Sequence, residues 1–184
     1  MQTGTVTLES LEAKYGEAIR RNRERMIRWD LRYLELAKQV STWSKDPSTK
    51  VGAVLVNYLH NCEFIGYNGF PRGVADLKER YDNRELKYKM VVHAEQNCIL
   101  KAKEFARGAT IYVYPSFALP PICHDCCKLA IQAGVATIVG YTPDESDPRV
   151  QRWAESIGVA REMCMEAGIT WRSYKEYADP KDFI

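Results

Sequence analysis

Residues 109–141 read ATIYVYPSFALPPICHDCCKLAIQAGVATIVGY, and this stretch decides the fold. Ala109 to Tyr114 is rich in β-branched and aromatic residues and reads as a strand. Pro115 to Pro121 is irregular, and His124 to Ala133 reads as a helix closed by Gly134. Thr137 to Tyr141 is the next strand. A strand, a helix and a second strand in close succession belong to a layered α/β sheet.

The alternation continues on both sides. Downstream lie an acidic turn from Pro143 to Pro148, a helix from Val150 to Ala167 ended by Gly168, and a final strand from Ile169 to Tyr174. Upstream, Ala94 to Phe105 reads as a helix, and Val51 to Asn57 and Glu63 to Tyr67 as paired strands. Asn68 to Gly73 is a loop punctuated by Gly and Pro, and the charged residues 74–90 read as a surface excursion. Two helices open the chain. One covers residues 8–25, with Leu8, Leu11, Tyr15, Ile19 and Met26 in a narrow stripe; the other runs from Trp29 to Trp43 and ends at Pro47. The predicted architecture is a three-layer α/β/α domain over residues 27–184, with a central mixed sheet of about five strands. Residues 1–26 form a helical extension, which packs either on a neighbouring subunit or on its own domain.

Of the 184 residues, 46% are hydrophobic and 27% charged, which excludes disorder for most of the chain. Lys and Arg number 26 and Asp and Glu 24, a net charge of +2, so a nucleic-acid coat is disfavoured and no stable nucleic-acid partner is expected. The start of the chain is polar and charged rather than apolar, and no run approaches the roughly 18 to 20 apolar residues of a membrane span. The expectation is a reduced, cytoplasmic protein. There, clustered cysteines more often mean metal or catalysis than disulfides.

The six cysteines are Cys62, Cys98, Cys123, Cys126, Cys127 and Cys164. Cys123 and Cys126 stand at i and i+3 of a helix start, so both sulfurs share one face. The positive end of the helix favours their thiolates. Thirty residues earlier, His93 opens another helix. One His and two Cys leave a fourth position of zinc for water, whose pKa falls toward neutrality. Glu95, two residues after His93, is placed to take and return a proton. The pattern H-x-E with P-C-x-x-C marks zinc nucleobase deaminases. Parallel neighbouring strands would bring the two helix starts to one sheet edge. A redox C-x-x-C remains an alternative, as does a structural zinc with Cys127 or His124 as fourth ligand. Cys127 and His124 are expected to face away from the metal, Cys62, Cys98 and Cys164 to fill the core, and His60 to sit in a solvated turn.

With these residues in view, the chain resembles the deoxycytidylate (dCMP) deaminases of the cytidine deaminase superfamily. The resemblance covers roughly residues 27 to 175. It runs through Ser44-Lys45-Asp46-Pro47, Val51-Gly52-Ala53, Gly66-Tyr67-Asn68-Gly69-Phe70-Pro71, His93-Ala94-Glu95-Gln96-Asn97 and Cys123-His124-Asp125-Cys126. Gln132-Ala133-Gly134-Val135 and Ala167-Gly168-Ile169-Thr170 continue it. It implies hydrolysis of dCMP to dUMP and ammonia, feeding thymidylate synthesis in a cell or in the host cytoplasm of a virus. Zinc would be held by His93, Cys123 and Cys126, with Glu95 as proton shuttle. Ala94 and the strand from Val51 to Ala53 would line the base pocket, and Asn68 would bind the sugar. It further implies a hexamer activated by dCTP and inhibited by dTTP, with magnesium on the triphosphate and Asn68, Gly69, Phe70, Pro71, Arg72 and Gly73 in the regulatory site.

Two departures stand out. The family places Pro directly before the first zinc cysteine, whereas Pro121-Ile122-Cys123 interposes a residue after a long segment. An intact metal site with a remodelled pocket rim is expected. After the fourth strand, where the family often carries a basic residue near the substrate phosphate, Asp144 and Glu145 stand instead. Lys45, beside Ser44, is the substitute candidate for that contact.

Overall fold

A computed structural model describes residues 7–176, leaving aside the side chains of Leu8, Ser10 and Glu12. The elements are α1 (Leu8–Ser41), β1 (Gly52–Asn57), β2 (Cys62–Tyr67), α2 (Lys78–Asp82), α3 (Arg84–Met90), α4 (Ala94–Ala102), β3 (Thr110–Tyr114), α5 (His124–Ala133), β4 (Thr137–Tyr141), α6 (Pro148–Ala167) and β5 (Thr170–Tyr174). The strands form one sheet in the order β2-β1-β3-β4-β5. β1 pairs antiparallel with β2 and β3, and β3, β4 and β5 run parallel.

Side-chain alternation along the strands divides the core in two. Leu55, Ile111, Val113 and Ile138 face α4, α5 and α6, where Cys98, Cys126, Cys127 and Ala160 are buried. Val54, Val56, Tyr112 and Val139 face the other way, against Ile27, Leu34 and Ala37 of α1. This is the expected three-layer fold with five strands. Among the described residues, no helix is long and apolar enough to cross a membrane.

The two helices expected over residues 8–25 and 29–43 are one, α1. No Gly or Pro separates them, so nothing stops the backbone hydrogen bonding. What changes along the helix is burial: Tyr15 and Ile19 are exposed, and packing against the sheet begins at Ile27. The excursion over residues 74–90 is largely helical, as α2 and α3.

Close approach of sheet and helices depends on two glycines. A Cβ on Gly66 would lie 2.3 Å from the Ala94 carbonyl oxygen, and one on Gly52 would lie 2.1 Å from that of Ala37. Their bare backbones let α4 and α1 settle directly on β2 and β1. Beneath α1, the fully buried Asp30 accepts hydrogen bonds from Tyr112 Oη (2.7 Å), Tyr174 Oη (2.6 Å) and Arg172 Nε (2.7 Å). Breaking a buried ion pair from one side costs about 3–5 kcal/mol. Arg172 keeps 29% exposure, which screens its half of the pair. Asp30→Ala is therefore expected to lower stability by about 3 kcal/mol, read from urea unfolding. A loss below about 1 kcal/mol would show that the network does not hold α1 to the sheet.

Candidate active site

The two helix starts meet, but not through parallel neighbours. β2 and β3 are each antiparallel to β1, so they run the same way with one strand between them. Their carboxyl ends therefore share a sheet edge. α5 follows β3 at that edge, with Cys123 as its N-cap. The segment leading to α4 is tied there by backbone bonds between Gly69 and Val92, 3.1 and 2.9 Å long. His93 is the N-cap of α4, and its backbone N–H donates to Gln96 Oε1 (3.0 Å), fixing the entry of the helix.

His93 Nδ1 lies 3.4 Å from Cys123 Sγ and 3.3 Å from Cys126 Sγ, and the three ligand atoms lie within 4.8 Å of one another. Zinc–sulfur and zinc–nitrogen bonds of about 2.3 and 2.0 Å in tetrahedral directions fit this triangle. One imidazole and two thiols are a zinc donor set with one position left open. The Cys123 thiol falls to about 4, chiefly because Cys126 hydrogen-bonds to its sulfur and His93 stands beside it; the Cys126 thiol rises correspondingly. Glu95 is buried next to the cluster. Its burial, reinforced by the Cys123 thiolate, pushes the carboxyl up to about 7. A carboxyl with such a value can both accept and return a proton near neutrality.

Above these groups opens a cleft. Val51, Asn68, Ala94 and Val113 line one part of it, and Pro115, Phe117, Pro121 and Ile122 another. The segment that departs from the family's spacing thus forms a wall of the cleft. It contains two cis peptide bonds, Tyr114–Pro115 and Leu119–Pro120. Trp153 and Ile157 of α6 complete the lining, the Trp153 ring standing edge-on to His93 with 6.4 Å between centroids.

The other expected residues are placed as follows. Asn68 lines the cleft with its amide engaged: Oδ1 accepts from Val51 N (2.8 Å) and Nδ2 donates to the Thr49 carbonyl (2.9 Å). Ser44 is buried outside the lining, donating to the Asn68 carbonyl (2.8 Å), so it supports the loop. Lys45 also lies outside the lining, exposed and paired with Asp76 (2.7 Å). Ala53 does not line the cleft, because strand alternation turns it into the core beneath α4. Of the loop from Asn68 to Gly73, only Asn68 lines it; Phe70 stacks on Tyr81 (4.4 Å), Arg72 is exposed, and Gly73 has a left-handed φ of 84°. Gly69 and Pro71 likewise stand outside the lining.

His124 turns to Ser156 (2.7 Å), and Cys127 lies 3.4 Å from Cys164 in the core, so neither joins the metal cluster. Cys98 and Cys164 are buried as expected, Cys62 is half-buried, and His60 is exposed. Sequence reasoning missed Lys87, Asp46, Arg152 and Trp153. Lys87 is buried in the cleft wall, 3.2 Å from Asp46 and bonded to Ser48. Burial alone would raise the Asp46 carboxyl, but hydrogen bonds from Ser48, Thr49 and Lys87 win and hold it below its usual value.

A buried carboxylate beside a three-ligand metal cluster, at the carboxyl edge of an α/β sheet, defines a metal-dependent hydrolase of the nucleobase-deaminase type. Comparison with known proteins agrees. Residues 27–142 match the family model of the cytidine and deoxycytidylate deaminase zinc-binding region. A deaminase of the luxG 3′ region of Aliivibrio fischeri is 38% identical over 148 residues, 78% of this chain and 93% of that one. Human deoxycytidylate deaminase is 32% identical over 160 residues, 84% of each chain. The crystal structure of dCMP deaminase from cyanophage S-TIM5, in complex with dCMP and dUMP, superposes with a TM-score of 0.55 at 25% identity, covering 77% of this chain and 93% of that one. The chain belongs to the zinc-dependent cytidine and deoxycytidylate deaminase family.

Proposed function

We propose that this protein hydrolyses dCMP to dUMP and ammonia. The observation that carries the reading is the buried Glu95 carboxyl beside the His93, Cys123 and Cys126 cluster at the bottom of an apolar cleft. The relatives named deoxycytidylate deaminases support the choice of substrate.

Bound by His93, Cys123 and Cys126, zinc supplies the Lewis acidity that makes water nucleophilic at neutral pH. Glu95 takes a proton from the attacking water and delivers it to ring N3 as C4 becomes tetrahedral. It then carries a proton to the departing ammonia. Val51 and Ala94 hold the base, and Trp153 and Ile157 exclude bulk water from it. Asn68, held by Thr49 and Val51, retains one N–H for the sugar.

The family match begins at residue 27, which supports reading 27–184 as the deaminase and 1–26 as an extension. The reading includes a hexamer in the cytoplasm, a role in supplying dUMP for thymidylate synthesis, and control by dCTP and dTTP through the loop from Asn68 to Gly73. Magnesium would enter only with such a triphosphate. Saturation curves for dCMP with each triphosphate test the control; curves that neither one moves would remove it.

The substrate is tested by comparing kcat/KM for dCMP, deoxycytidine and a cytosine-containing oligonucleotide. The expected order puts dCMP first by at least about tenfold, the worth of one well-made charged contact. Preference for deoxycytidine or for the oligonucleotide would replace this reading with another member of the same reaction class.

A further inference from the structure

We propose that Arg152 is the residue by which this chain distinguishes a nucleoside 5′-monophosphate from the unphosphorylated nucleoside. The inference rests on the reading of the site as a dCMP deaminase. Apart from the metal-cluster residue His93, two cationic side chains line the cleft, Lys87 and Arg152. Lys87 is buried and already engaged by Asp46 (3.2 Å) and Ser48. Its charge is balanced before any ligand arrives.

Arg152 differs on each count. It is exposed, and among the described residues its guanidinium has no carboxylate within ion-pair distance and no hydrogen-bond acceptor. The neighbouring cation of α6, Arg149, is clasped by both Asp147 oxygens (2.9 Å from Nε to each) and lies over the Phe117 ring at 4.8 Å. α6 brings Arg152 to the cleft beside Trp153, whose ring stands against His93. A guanidinium held by no contact thus stands in the cleft lining, one position from the aromatic that packs on His93.

Of the acidic turn, Asp147 feels the Arg152 charge, but beyond ion-pair distance, its close partner being Arg149. Asp144 and Asp147 line an adjoining cavity with Tyr141 and Lys175, which shares Pro115 with the cleft, and they are occupied by Ser146 and Arg149 respectively. The guanidinium fork matches two phosphate oxygens at once, a geometry that an ammonium lacks.

The test uses the zinc-loaded chain and the variants Arg152→Ala and Arg152→Lys, matched to the parent for zinc content and melting temperature. Turnover of dCMP and of deoxycytidine is measured, together with equilibrium binding of dUMP and of deoxyuridine. Arg152→Ala is expected to lower kcat/KM for dCMP at least about tenfold, mostly through KM, and to weaken dUMP binding by a similar factor. The constants for deoxycytidine and deoxyuridine should move less than about twofold, and Arg152→Lys should recover part of the loss. Rising salt should raise KM for dCMP less steeply in Arg152→Ala than in the parent. Parallel losses on both substrates would assign Arg152 a structural role and overturn the proposal. So would an undiminished preference for dCMP. A parent enzyme that turns over dCMP no better than deoxycytidine would instead overturn the functional reading, and this anchor with it.

Discussion

Glu95→Gln is expected to lower kcat for deamination by about a thousandfold, within the range found when a positioned acid–base group is lost. Glutamine keeps the shape of the side chain but cannot take up and return a proton. The site offers no substitute nearby: the other carboxylate in the cleft lining, Asp46, is held by Ser48, Thr49 and Lys87. Zinc content should stay at that of the parent, because the cluster atoms belong to His93, Cys123 and Cys126. Stability should hold or rise, since burial already disfavours the charged form of Glu95. Metal analysis beside the activity assay reads both effects. Activity within about tenfold of the parent would remove Glu95 from the proton transfers.

Cys126→Ser is expected to act one step earlier, by removing the metal. The Cys126 sulfur is fully buried and 3.3 Å from His93 Nδ1, so a shorter and harder oxygen cannot take its place. Zinc should fall well below one per chain, with activity lost in proportion. Cys127→Ser is the contrast, because that sulfur lies against Cys164 on the side of α5 away from the cluster. It should keep the metal, at a modest cost in packing. Equal zinc loss in both variants would mean that α5, rather than a particular ligand, had been disturbed.

These effects fall on residues that the sequence marks clearly. Cys123 and Cys126, His93 and Glu95 are related by local helix geometry, and local geometry follows from spacing. The five strands are legible for the same reason. What the sequence conceals are relations between distant residues. Asp46 reads as a turn residue and Lys87 as one charge among many in residues 74–90; only the folded chain brings them to 3.2 Å. Lys45, the cation expected near phosphate, is adjacent to Asp46 in sequence yet leaves the cleft for Asp76. Arg152 and Trp153 sit in an ordinary amphipathic pattern, and nothing in that pattern says that both line the cleft or that Trp153 packs on His93. The unbroken α1 was hidden by the onset of burial at Ile27, which resembles a boundary. The arrangement of β2 and β3 across β1 is likewise a property of the whole sheet.

Deamination of dCMP in this cleft, with one zinc per chain, is open to direct test. The direct measurement is product formation from dCMP by the zinc-replete protein, with dUMP and ammonia quantified together. One dUMP and one ammonia are expected for each dCMP consumed, with loss of both when the metal is removed. A chain that carries one zinc, binds dUMP and still releases no ammonia would contradict it.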